Sequence, residues 1–260
     1  MRRRAFLAAG ATGSAAALSG CLGLFGSSDT GQEWDLPADP DPADGYAPAY
    51  GDPASRDVDE SQFQTTETNG ETVTLAPLDA VQYWHQTQGA RFVDARGPDQ
   101  YESAHIYGAV LSPATRNSSG GGIADWSEDD RIVCYCGCPH HLSSLRAAGL
   151  QKAGYENVYV FDEGFYEWRD QNLPLSGGEF DSDQSYVVAG EVAAQYAGDY
   201  AWAETTVADK REAAPIRDDG SFELHLRFTG LTDDTQVRVA TPEFDVTRPL
   251  GELTETTLTA

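Results

Sequence analysis

Cys136-Gly137-Cys138-Pro139-His140-His141 places two thiols and two imidazoles within six consecutive residues. Thiolates are nucleophiles towards sulfur and ligands for soft metals, and imidazoles bind metals or carry protons. Three chemistries are open to such a loop. The first is sulfur transfer, in which a thiolate attacks a sulfane sulfur and holds it as a persulfide. The second is thiol-disulfide exchange through a tight Cys136–Cys138 disulfide. The third is metal binding by Cys136, Cys138, His140 and His141, but these cysteines stand one residue closer than the usual zinc spacing. No metal site is therefore assigned, and sulfur transfer needs no organic cofactor. Cys134 reads as a small apolar core residue.

The elements on either side must aim this loop. Ile132-Val133-Cys134-Tyr135-Cys136 is a continuous apolar run between Asp129-Asp130 and a Gly-Cys-Pro turn, which suits a strand buried on both faces. Residues 143–153 carry helical spacing through Leu145, Ala148 and Leu150 and stop at Gly154. A strand end meeting a helix start is where α/β proteins bind ligands. Backbone N–H groups of Gly137, Ser143 and Ser144, with the helix dipole, would hold an anion or a thiolate there. A cysteine so placed is expected to have its pKa lowered from about 8.5 towards roughly 3.5–7.5. Further strand signals lie at 72–75, 91–94, 108–111 and 158–161, with helix signals at 77–84 and from Phe165 to Trp168. This alternation over about 71–178 implies an α/β domain, a mainly parallel sheet with helices on both faces.

Within that stretch Val93-Asp94-Ala95-Arg96, Tyr101 and His105-Ile106-Tyr107-Gly108-Ala109 resemble, in order, motifs of the rhodanese family. So do Arg131–Cys136, Gly154-Tyr155 and Asp162-Glu163-Gly164-Phe165-Tyr166-Glu167-Trp168. The resemblance implies a sulfurtransferase whose donor is a small sulfur-containing anion or persulfide and whose acceptor is a thiol. It also implies structural roles for Asp94, Arg96, His105, Gly164 and Trp168. The loop departs from the family pattern, because no arginine precedes Arg146. That absence speaks against a related phosphatase loop, which grips phosphate with an arginine. Counting from Asp129 puts the nucleophile at Cys136, whereas counting back from Ala147-Ala148 favours Cys138. The strand end favours Cys136. One of His140 and His141 is expected to supply the positive charge that the arginine would give.

Residues 1–21 join a basic start to an Ala-rich run. Arg3-Arg4-Ala5-Phe6-Leu7 resembles a twin-arginine export signal, and Leu18-Ser19-Gly20-Cys21 a lipobox with Cys21 as the lipidated residue. Export to the outer face of the cell membrane follows, held by the lipid alone. Residues 22–70 are expected to form a disordered acidic linker. The chain carries 42 acidic and 17 basic residues, a net charge of −25, with Lys152 and Lys210 as its lysines. Such a field repels nucleic acid and suits a protein hydrated in concentrated salt, as in a halophile. Beyond Gly178 the pattern becomes strand-like at 186–188, 200–203, 221–228 and 235–240, around an Asp218-Asp219-Gly220 turn. Residues 184–260 are therefore expected to form a small β-sandwich acting as an accessory binding or spacer module.

Overall fold

The computed structural model describes residues 34, 36, 44–114, 123, 125–137, 140–177, 185–206, 210–228 and 230–260. The expected export signal with Cys21, and Cys138 in the loop, lie outside them. The first sheet system is built from β1 (Gln64–Thr68), β2 (Glu71–Ala76), α1 (Leu78–Gln86), β3 (Arg91–Asp94), α2 (Pro98–Ser103), β4 (Ala104–Ile106) and β5 (Val110–Leu111). It continues with β6 (Ile132–Tyr135), α3 (Leu142–Lys152), β7 (Val158–Phe161), α4 (Gly164–Asp170) and β8 (Leu175–Gly177). Its main sheet runs β1-β2-β7-β6-β3-β5, antiparallel at the β1–β2 hairpin and parallel elsewhere. β4 and β8 pair separately.

Successive strand residues face opposite layers. Phe92, Val133, Tyr135 and Phe161 pack with Trp84 of α1 and with Phe165 and Trp168 of α4. Val93, Cys134 and Val160 pack with Ala147, Ala148 and Leu150 of α3 on the other face. Both faces of the sheet are thus covered, and Cys134 lies in the core.

The expected linker needs correction over residues 44–70. β1 is an edge strand of the main sheet. The Phe92 amide donates to the Gly45 carbonyl at 2.7 Å. Ala47 and Tyr50 are buried against Tyr107, and the Tyr50 hydroxyl meets His85 Nδ1 at 2.8 Å. Arg131 pairs with Glu60 at 2.7 Å. So few apolar residues could not fold alone, but they become ordered by docking on a surface that already exists.

The second system comprises β9 (Tyr186–Glu191), β10 (Tyr200–Thr205), β11 (Arg211–Pro215), β12 (Ser221–Leu226), β13 (Gln236–Ala240), β14 (Asp245–Pro249) and α5 (Leu250–Glu255). A four-stranded antiparallel sheet, β11-β10-β13-β14, and the β9–β12 pair enclose one core. Val188, Phe222, Leu224 and Leu226 meet Ala201, Ala203, Val237 and Val239 there, with Leu250 and Leu253 of α5.

The two systems are joined by a third cluster. Ala95, Ala114, Cys136, Leu142 and Leu145 pack against Trp202 and Ala213. Polar contacts flank this seam: Tyr200 to Thr68 at 3.5 Å, and Arg211 to Gln100 and Ala114, each at 3.5 Å. The Tyr166 hydroxyl donates to the Arg227 carbonyl. The C-terminal sheet is therefore seated on the cysteine loop.

Candidate functional site

β6 is buried at every position and flanked by parallel neighbours, so it projects Cys136 from the middle of the sheet at its C-terminal edge. The Ala95 amide donates to the Tyr135 carbonyl at 2.9 Å, and the Phe165 amide to the Cys136 carbonyl at 2.8 Å. Gly164, at φ +78, makes the turn that brings Phe165 there. Gly137 leaves the strand next; a Cβ at this position would stand 3.1 Å from the Tyr166 ring. His140 at φ +37 occupies the left-handed region, a strained conformation for a side-chain-bearing residue, just before α3 begins.

The start of α3 closes on the sulfur. Cys136 Sγ lies 3.3 Å from Ser143 Oγ, and the backbone N–H groups of His141 and Ser143 interact with it. Ser143 is the serine that meets the thiol. Ser144 is buried within the helix, its Oγ without a hydrogen-bond partner among the described residues.

The expected acidification of this thiol is overturned. Cys136 is 0% exposed, and burial pushes its pKa up to about 12. The Glu212 carboxyl acts in the same direction, whereas Ser143 and the loop amides pull downwards. Desolvation wins because Trp202 and Ala213 exclude water from the sulfur. In this closed arrangement Cys136 is a protonated thiol.

The histidine expectation also changes. His141 is held neutral, its pKa drawn down to about 4 by burial and by the neighbouring charges of His140 and His225. It cannot be the cation that replaces the missing arginine at neutral pH. His140 is half-exposed, with Nε2 3.5 Å from Asp162.

The motif residues around the loop are tied down. Asp94 and Arg96 form a fully buried pair: Nη2 reaches Oδ2 at 2.6 Å, Nε reaches Oδ1 at 3.0 Å, and the Arg96 amide reaches Oδ1 at 2.9 Å. Nη2 also donates to the Ala104 carbonyl at 2.6 Å, and the guanidinium lies 3.9 Å over the Phe165 ring. His105 Nδ1 is 2.8 Å from the Tyr101 carbonyl, and its ring stacks on Tyr101 at 3.7 Å. Trp168 Nε1 donates to the Pro174 carbonyl at 2.9 Å. These residues set the positions of loops and do not line the cavity.

That cavity, about 460 Å³, opens beside the loop. Gly137, His140, His141, Glu163, Tyr166 and Glu167 line it from the first sheet system, and His225 and Arg227 from the second. Gly137 and His140 are the described neighbours of the Cys138-Pro139 pair in sequence. Among the described residues no three His, Cys, Asp or Glu side chains converge to hold a metal ion.

Sequence reasoning missed the share of the C-terminal sheet. His225 read as an isolated histidine, yet it faces the cavity with His140 and His141. Glu212 drew no attention, yet it is 2% exposed, with Oε1 3.9 Å from His141 Nδ1. Burial raises its pKa to about 8, opposed by the Ala213 N–H and the Arg96 charge. A single glutamate before Ala213-Ala214 carries no sequence signal of burial.

Comparison with known proteins agrees with this architecture. A family model described as the rhodanese-like domain matches residues 79–171. The thiosulfate sulfurtransferase GlpE of Pseudomonas entomophila is 36% identical over 90 residues, covering 32% of this chain and 74% of that protein. GlpE of Vibrio cholerae is 33% identical over 99 residues, covering 38% and 90% respectively. The probable adenylyltransferase/sulfurtransferase MoeZ of Mycobacterium tuberculosis is 28% identical over 101 residues. That match spans 39% of this chain but only 26% of MoeZ. The family match carries β3 to β7, the Asp94–Arg96 pair and the Cys136 loop, and with the GlpE relatives it shows that this chain belongs to the rhodanese-like domain family.

Proposed function

We propose that this protein is a sulfurtransferase: a cysteine thiolate takes a sulfane sulfur from a small anionic or persulfide donor and passes it to an acceptor thiol. The observation that carries this reading is the setting of Cys136 Sγ, with Ser143 Oγ at 3.3 Å and the His141 and Ser143 amides around it. Such donors would stabilise the terminal sulfur anion of a persulfide as they would a phosphate oxygen. The names of the GlpE relatives point the same way. The transfer needs no metal or organic cofactor. Cys138 is the alternative carrier, favoured by the count back from Ala147-Ala148.

Intact-mass and peptide mass spectrometry after treatment with thiosulfate or a persulfide should find one added sulfur on Cys136, lost in Cys136→Ser. Sulfur retained in Cys136→Ser and lost in Cys138→Ser would move the carrier to Cys138. Sulfur on neither cysteine from any donor would sink the enzyme reading and leave a binding module. A Cys136–Cys138 disulfide that thiols reduce readily would replace it with thiol-disulfide exchange.

We further infer export and lipid anchoring through Cys21, in a high-salt setting; the twin-arginine and lipobox motifs and the charge of −25 support this. Among the described residues no helix is long and apolar enough to cross a membrane. Cys21→Ser should release the protein from the membrane fraction, and unchanged retention would rule the anchor out.

A further inference from the structure

Glu212 is an odd residue for its place. β11 is an alanine-rich strand packed on the cysteine loop, where an aliphatic side chain would fit at lower cost. Its Oε1 accepts the Ala213 N–H at 2.9 Å and lies 3.9 Å from His141 Nδ1, while Oε2 lies 3.8 Å from where a Cβ on Gly137 would stand. Gly137 and His141 bracket the described part of the loop beyond the thiol. His141 Nδ1 is itself buried, with no hydrogen-bond partner among the described residues, and its ring lines the cavity. The carboxyl therefore lies against Gly137 and His141 of the loop, on the strand whose Ala213 packs against Cys136.

We propose that Glu212, supplied by the C-terminal sheet, is the proton acceptor for the Cys136 thiol, with His141 standing between its carboxyl and the cavity. The transfer steps rest on the sulfurtransferase reading; the proton role does not. In the first step the S–H bond of Cys136 breaks and its proton passes to the Glu212 carboxylate. The freed electron pair on Sγ forms a bond to the sulfane sulfur. The bond from that sulfur to the rest of the donor breaks, its pair leaving on the donor fragment, as sulfite leaves from thiosulfate. In the return step an acceptor thiol attacks the outer sulfur of the persulfide and the Sγ–S bond breaks. Sγ takes the proton back from Glu212, and the acceptor's own proton stays with the new persulfide.

The groups facing this carboxyl are Arg96 from the end of β3, and Cys136 and His141 from the loop; His140 and His225 lie beyond His141. A carboxyl that titrates near 8 is well matched to proton transfer at neutral pH. Its charge also raises the thiol, so the two roles predict opposite signs.

The test is Glu212→Gln, which keeps the side-chain shape and an acceptor for the Ala213 N–H. Alkylation of Cys136 by iodoacetamide and its sulfur loading by thiosulfate are each followed, peptide by peptide, from acid to alkaline pH. In the native protein both rates should rise to a plateau as Glu212 ionises. In the variant they should fall by about 10²-fold at neutral pH and lose that inflection. Glu212→Asp should restore the inflection at an intermediate rate, and it carries the comparison if the Gln variant does not fold. Rates in Glu212→Gln equal to or above native ones would overturn the proposal, leaving Glu212 as a charge that only suppresses the thiolate. If the native protein shows the alkylation inflection but gains no sulfur, the proton role stands and the sulfurtransferase reading falls.

Discussion

Asp94 and Glu212 are both buried carboxyls near one loop, but their surroundings differ. Asp94 sits at the end of β3 and is gripped on both oxygens by the guanidinium two residues away, whose remaining contacts reach Ala104 and Phe165. Everything about that pair is local and well bonded, as a structural clasp requires. Glu212 crosses from another sheet system and meets a neutral imidazole 3.9 Å away, beyond hydrogen-bond reach. A buried charge held by a matched partner fixes geometry. One left near titration is a candidate for moving protons.

The largest effect should come from breaking the clasp. Arg96→Met leaves Asp94 buried and unpaired, and should cost up to about 5 kcal/mol in denaturant unfolding. A cost below about 1 kcal/mol would erase the contrast. Next is pH. Glu212 has a folded value of about 8 against an ordinary 4.5, so its folded form binds the extra proton. The stability of the native protein relative to Glu212→Gln should fall as pH rises from about 4.5 through about 8, by on the order of 5 kcal/mol. A difference that stays flat across that window would show Glu212 to be as settled as Asp94. Trp202→Ala should cost about 3 kcal/mol and speed Cys136 alkylation by letting water into the seam. Unchanged alkylation would mean that Trp202 is not what shields the sulfur. The smallest effect belongs to Tyr166→Phe, which removes the hydroxyl bonded to the Arg227 carbonyl and should cost about 1 kcal/mol in thermal unfolding.

Much of the first sheet system was legible because its signals are local. The apolar run at 132–136, the helix ending before Gly154 and the segment from Phe165 to Trp168 all became elements close to their expected bounds. β1 was not legible: Gln64–Thr68 is polar because it is an exposed edge, and its order comes from pairing with β2. In the C-terminal system four strands carried alternation. β11 and β14 did not, since Arg211–Pro215 is buried at three successive residues and Asp245–Pro249 at none. The site was half legible for the same reason. Cys136 and Ser143 are close in sequence and announce each other, whereas Glu212 reaches them only through the docking of one sheet on another.

The seam formed by Ala95, Cys136 and Leu145 against Trp202 and Ala213 also sets a clock. Any reagent bound for Cys136 must wait for those surfaces to part, so its rate should stop rising with concentration at the frequency of opening. That ceiling should be the same for a small alkylating agent and for a bulky sulfur donor. Hydrogen exchange at the amides of β11, measured where exchange outruns reclosing, would read the same frequency without any sulfur chemistry at all.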